Sequence, residues 1–207
     1  METQKRNNRA FLEMLKPAKE RLYGRTAEEL AANTQMEFDK EKSEFRLFSL
    51  GQDIRISYPE FNITPEIDEW HHLVILHYMD MADGAGLTSQ LIKFGELSSG
   101  FVRGGGFDRQ CEFTVSKKLA NKPIEKVRKA CEESGAEIVP TNADLCAVFS
   151  FLPLYPVTLK IWFTDEEDEI EGTGRMFLDG SADHYLSVED AVTVGTLILE
   201  MLLTRCV

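Results

Sequence analysis

The chain has 207 residues, 43% of them hydrophobic, and a formal net charge of −12. That length fits one domain whose core stands without disulfides or structural metals. The acidity argues against a general nucleic-acid binder, because an acidic surface repels phosphate backbones. The N-terminal stretch is charged and has no apolar leader, and no apolar run reaches the roughly 18 residues of a membrane span, so a cytoplasmic protein is expected. Cys111, Cys131, Cys146 and Cys206 form no C-x-x-C pair. They are expected to be buried thiols rather than ligands of zinc or an iron–sulfur cluster.

Residues 1–35 are expected to form a basic helical segment, followed by a single α+β domain over 36–207. Phe11, Leu12, Leu15 and Leu22 mark an apolar stripe on a helix over 4–23, which Pro17 threatens to kink and Gly24 ends. Seven cations fall within residues 1–25 (Lys5, Arg6, Arg9, Lys16, Lys19, Arg21 and Arg25) against three Glu. They suit either a solvated face or a docking arm for an acidic partner. Thr26 with Glu29 three residues on reads as the capping box of a second, short helix. Alternation around Phe38, Phe45–Leu50 and Ile54–Tyr58 predicts an antiparallel meander. Thr64-Pro65 is the expected start of a helix that ends near Gly84.

Residues 100–109 read as a glycine-rich loop, with helices over 109–119 and 123–134. Strands are expected at 136–139, 145–151, 157–163 and 175–178. Pro153 and Pro156 discourage a simple ladder between the second and third of these. Ser187 caps a final apolar helix. The fold class is α+β: a mostly antiparallel sheet with helices packed mainly on one face.

Three clusters carry candidate chemistry. The run Asp165-Glu166-Glu167-Asp168-Glu169 follows a strand, and Asp179 and His184 follow the next. If Asp165, Glu166, Asp179 and His184 converge, their oxygens suit Mg²⁺, Mn²⁺ or Ca²⁺, and the imidazole admits Fe or Zn. The alternative is a solvated turn guarding a strand edge. Arg103-Gly104-Gly105-Gly106 with Arg109 supplies close backbone approach and positive charge for an anion, although no complete phosphate-loop motif is present. His71, His72 and His77 share a helix at spacings that place no two on one face, which disfavours a paired metal site. His77 lies on the apolar stripe, as a hydrogen-bonded core residue or as a ligand-binding residue such as the axial ligand of a haem or corrinoid.

The stretch Trp162–Glu167, then Phe177-Leu178-Asp179, Asp183-His184-Tyr185-Leu186 and Glu189, with Phe94-Gly95-Glu96-Leu97 and the Leu152–Pro156 linker, resembles an uncharacterised bacterial and archaeal family, domain of unknown function 3786. The resemblance spans roughly residues 60–204. It implies an association with anaerobes. Some members carry an N-terminal iron–sulfur segment that this chain lacks, and no catalytic residues come with the resemblance. The expected function is therefore that of a small-ligand or cofactor binding or accessory protein, holding a small anion or a metal-containing group. The alternatives are a metal-dependent enzyme using the C-terminal carboxylates and His184, and a protein-interaction module.

Overall fold

The computed structural model describes residues 2–165, 167 and 169–207, with side chains from Arg9 onward. The fold is α+β, and its strands divide between two antiparallel sheets. Helices α1 (Glu2–Leu22) and α2 (Ala27–Thr34) lead into a four-stranded meander of β1 (Glu37–Asp39), β2 (Glu44–Ser49), β3 (Gln52–Ser57) and β4 (Ile63–Thr64). Then follow α3 (Glu69–Met81), β5 (Leu91–Ile92), α4 (Gly100–Lys118), α5 (Ile124–Glu133), β6 (Ala136–Ile138), β7 (Leu145–Leu152), β8 (Tyr155–Trp162), β9 (Thr173–Asp179) and α6 (Val188–Arg205). The second sheet has the order β5-β9-β8-β7-β6.

Local chemistry explains most boundaries. The Thr26 hydroxyl accepts from Glu29 N–H, one arm of the capping box, while the Glu29 carboxylate pairs with Arg25. Ser187 accepts from Asp190 N–H in the same way and starts α6. Phe45, Leu47, Ile54 and Ile56 alternate inward on β2 and β3. Their register, Phe45 opposite Ile56 and Leu47 opposite Ile54, puts all four on one buried face. Pro17 lies inside α1 without ending it. Its neighbours Ala18 and Leu22 are fully buried, and α1 packs along α3.

The structure departs from the sequence reading at three places. Thr64 does not cap α3; it pairs with Arg55 as the end of β4. The cap is Asp68, whose carboxylate accepts from Trp70 N–H and His71 N–H. Leu152 and Tyr155 close a tight hairpin between β7 and β8 despite the flanking prolines. Most consequentially, residues 100–109 are the first half of α4 and not a loop.

Helix α4 carries three consecutive glycines, residues that cost about 1 kcal/mol each in a helix interior relative to alanine. Packing accounts for the first. A Cβ on Gly104 would lie 2.0 Å from the Phe94 carbonyl oxygen, so the helix touches the 94–96 turn backbone to backbone. Gly106 has nothing within 4 Å of a built Cβ. The two positions should therefore respond with opposite sign to the same substitution. Gly104→Ala is expected to lower stability by about 2–3 kcal/mol, because a backbone carbonyl cannot swing aside. Gly106→Ala is expected to raise it by up to about 1 kcal/mol. Urea midpoints of the two variants check this, and a stabilised Gly104→Ala would contradict the packing.

The four cysteines are buried free thiols. Burial pushes Cys111 and Cys131 up to about 12, which keeps both protonated. No helix among the described residues is long and apolar enough to cross a membrane.

Candidate functional site

Among the described residues, Asp165, Asp179 and His184 are not brought together as a metal site. Asp165 precedes β9 and Asp179 ends it. Six strand residues of β9, Thr173 to Leu178, lie between them, a span of roughly 20 Å at the usual rise per residue. Glu166 lies outside the described residues. Among those described, no group of three or more His, Cys, Asp or Glu is arranged to hold a metal ion.

Each of the other members has a different partner. Asp179 is 6% exposed and accepts from Thr88 N–H and Oγ1, from Ser89 N–H, and from Ser181 N–H and Oγ, all at 2.7–2.9 Å. Burial alone would push its pKa up. The donors from Thr88 and Ser181 outweigh that and hold the carboxyl below its usual range. Its lone pairs are thus engaged in joining the 88–89 segment to the turn after β9. His184 lies 2.7 Å from Asp83 through Nδ1, and the imidazole keeps Asp83 below the usual carboxylate range. Asp183 accepts from Ser98 N–H, and the Tyr185 hydroxyl donates to the Ala85 carbonyl. The polar residues between 179 and 185 therefore fasten the 83–98 segment to the fold.

His77 belongs to the same seam. Its Nδ1 is 2.8 Å from Asp190 Oδ1, and the other oxygen of Asp190 accepts from the Ser187 hydroxyl. A carboxylate orienting an imidazole is the geometry of a general base. The Tyr155 hydroxyl is buried without a hydrogen-bond partner among the described residues. Burial, with Asp190 and Asp183 near, raises its pKa well above the ordinary value, so it stays a neutral phenol. Sequence reading missed Asp190 because its partner is 113 residues away. Only its place in the Ser187 cap was visible.

The predicted anion residues point to different sides of α4. Gly104 is buried against Phe94. Arg103 faces α3 and α6, bordering a shallow cleft with Asp68, Trp70 and Glu200. Gly105 and Arg109 face β9, in a cleft of about 260 Å³ with Lys93 and Arg175. Gly106 and His77 line neither of these clefts. The helical conformation thus turns Arg103 and Arg109 toward different clefts, and His77 borders neither.

The β9 side holds the more extended feature. The Arg109 cleft shares Arg109 and Glu112 with a second cleft of about 400 Å³. That one shares Lys117 with a third of about 560 Å³. The three clefts follow α4 in succession as a groove: the first two lie against β9, and the third, beyond Lys117, lies against Leu203 and Val207. Six cations line it: Lys93, Arg109, Arg175, Lys117, Lys118 and Lys122. Its acids are Asp108, Glu112 and Glu171. Asp108 already accepts from Phe94 N–H and Gly95 N–H. Arg109 has no carboxylate partner among the described residues, and Phe113 beside it is 65% exposed. On a chain with a net charge of −12, this is a local reversal of sign.

Fold and surface define an α+β protein of two antiparallel sheets with a basic, aromatic-edged groove along one helix. The chain belongs to the family described as Domain of unknown function (DUF3786), whose family model matches residues 26–201. The match includes α2 and strands β1–β3, which the resemblance over 60–204 left out. No curated protein matches the chain, and no solved structure matches it.

Proposed function

We propose that this is an accessory protein that works by docking, and that the α4 groove receives an acidic segment of polypeptide bearing an apolar side chain. The observation that carries this reading is Phe113, 65% exposed between Lys117 and the unpaired Arg109, in a cleft that also holds Glu112 and Glu171. An exposed aromatic beside arginine is the composition of an interaction anchor. Phe101 and Val102, at the head of the same helix, are also exposed, 88% and 78%.

The N-terminal helix is the weaker docking arm. Arg9, Lys16 and Arg25 pair with Glu13, Glu20 and Glu29, and Arg21 pairs with Asp80. Lys19 bonds to Asn62. The side chains of Lys5 and Arg6 lie outside those described. A small anion as ligand keeps one observation in its favour, the unpaired Arg109 in its cleft beside Lys93 and Arg175. In the docking reading a partner's carboxylate occupies that place.

The test is a titration of ¹⁵N-labelled protein with a synthetic peptide of alternating glutamates and isoleucines. Shifts confined to α4 and β9, weakened by salt and at least about tenfold by Arg109→Glu, are the expected result. Binding that ignores Arg109→Glu, or no binding at all, would overturn the reading.

A further inference from the structure

The chain itself carries a segment of the chemistry this groove selects. Between β8 and β9 a short hairpin is closed by the antiparallel bridge of Asp165 with Ile170. It presents Glu167 and Glu169, both exposed and without a cationic partner among the described residues, and Ile170, 56% exposed. Acidic side chains around one apolar side chain complement the cations around Phe113.

The hairpin cannot fold into its own groove, because its base is pinned at the rim. Thr164 N–H donates to the Ala120 carbonyl, Gly172 N–H donates to Thr164 Oγ1, and Ser116 donates to the Gly172 carbonyl. A Cβ on Gly172 would lie 2.6 Å from that of Ala120 and 2.7 Å from Thr164 N, so the base has no room to shift inward. Glu171 and Gly172 are themselves part of the groove wall, with Glu171 3.6 Å from Lys117. Donor and acceptor surfaces therefore adjoin on one face. In a two-fold pair with its axis near Glu171, each hairpin would face the other copy's groove and both contacts would close at once.

Resting on the docking reading, we infer that the occupant of the α4 groove is the acidic hairpin of a second copy of this chain, in an isologous dimer. Ile170 packs on the partner's Phe113. Glu167 and Glu169 meet the partner's Arg109 and Lys117. The contact is charge-steered and weakens with salt.

Analytical ultracentrifugation of the full chain tests this, with circular dichroism confirming that each variant is folded. At about 100 µM and low salt the wild type is expected to be a dimer that dissociates above about 0.5 M salt. Arg109→Glu with Lys117→Glu should give a monomer, and so should Glu167→Lys with Glu169→Lys. In the mixture one contact is the native pairing and the other has its signs exchanged, so a heterodimer should form where neither variant alone associates. A wild-type dimer indifferent to these changes, or a mixture that stays monomeric, overturns the inference. A wild-type monomer that still binds the glutamate–isoleucine peptide overturns self-docking and leaves the docking function standing. A monomer that binds no such peptide overturns both.

Discussion

Asp179→Ala is expected to cost about 4 kcal/mol of folding stability, because hydrogen bonds to a charged acceptor contribute about 1.5–3 kcal/mol each and stranded donors add their own penalty. Asp179 accepts from three backbone N–H groups and two hydroxyls. The two hydroxyls can turn to new acceptors. The N–H groups of Thr88, Ser89 and Ser181 cannot. The substitution therefore leaves backbone donors stranded at a site that is 6% exposed. It also releases the strap over residues 83–98. Gly180 N–H still donates to the Gln90 carbonyl, and β5 still pairs with β9, so the chain should fold with a loosened edge. Asp179→Asn keeps the shape and one acceptor oxygen, but turns an amide N–H toward the Ser89 or Thr88 donors. It is expected to cost roughly half as much. For a chain of this size, 4 kcal/mol corresponds to a drop in melting temperature of about 10 °C. Calorimetry of both variants reads the effect. Equal melting temperatures for wild type and Asp179→Ala would mean that the strap is held by something else.

The same residue shows how much of the molecule could be read from its sequence. Asp179 stood out because it is a carboxylate at a strand end beside another carboxylate and a histidine. The pattern did mark a place where distant segments meet. It did not say which atoms meet, because Thr88 and Ser89 are some 90 residues away and act largely through backbone N–H groups. Caps at Thr26 and Ser187 were legible because capping is local. So was the register-defining alternation of β2 and β3. The start of α4 was not. Gly104-Gly105-Gly106 reads as loop on intrinsic preference, and only the Phe94 carbonyl, brought there by the tertiary fold, shows why a helix needs glycine at 104. The groove escaped notice for a related reason. Arg109 and Lys117 share α4, but Lys93 and Arg175 are contributed by other segments and join Arg109 only when α4 lies across β9. The acidic run was conspicuous but was weighed as a metal site. Its position at the rim of a basic groove is a property of topology.

The largest pH effect should come from a pair of histidines that the site does not use. His71 is buried on α3 with Nε2 2.9 Å from the Ser49 hydroxyl. His72 packs against the Phe11 ring, and its Nε2 has no hydrogen-bond partner among the described residues. Desolvation by burial lowers the pKa of each from 6.5 to about 4; His72 is lowered further by the Lys19 charge, and Asp68 partly offsets the effect at His71. In the unfolded chain both rings protonate as the pH falls through 6.5, whereas in the folded chain they stay neutral until about 4. Between those values the unfolded state binds more protons, so folding stability falls as the pH falls. Two and a half units at the fully buried His71 amount to about 3 kcal/mol, and the partly exposed His72 adds less, giving a loss on the order of 4 kcal/mol from pH 7 to pH 4. Below 3.8 the depressed carboxyl of Asp179 adds a loss of the same sign. Urea midpoints at pH 7, 5.5 and 4.5 should therefore decline steadily. His72→Leu, which removes an unpaired buried nitrogen without leaving a gap beside Phe11, should flatten the decline and raise the midpoint at pH 5. A midpoint that is level between pH 7 and 5 would mean that both rings titrate in the folded protein as they do in water, which is incompatible with the packing of α3 between Phe11 on one side and Ser49 and Phe151 on the other.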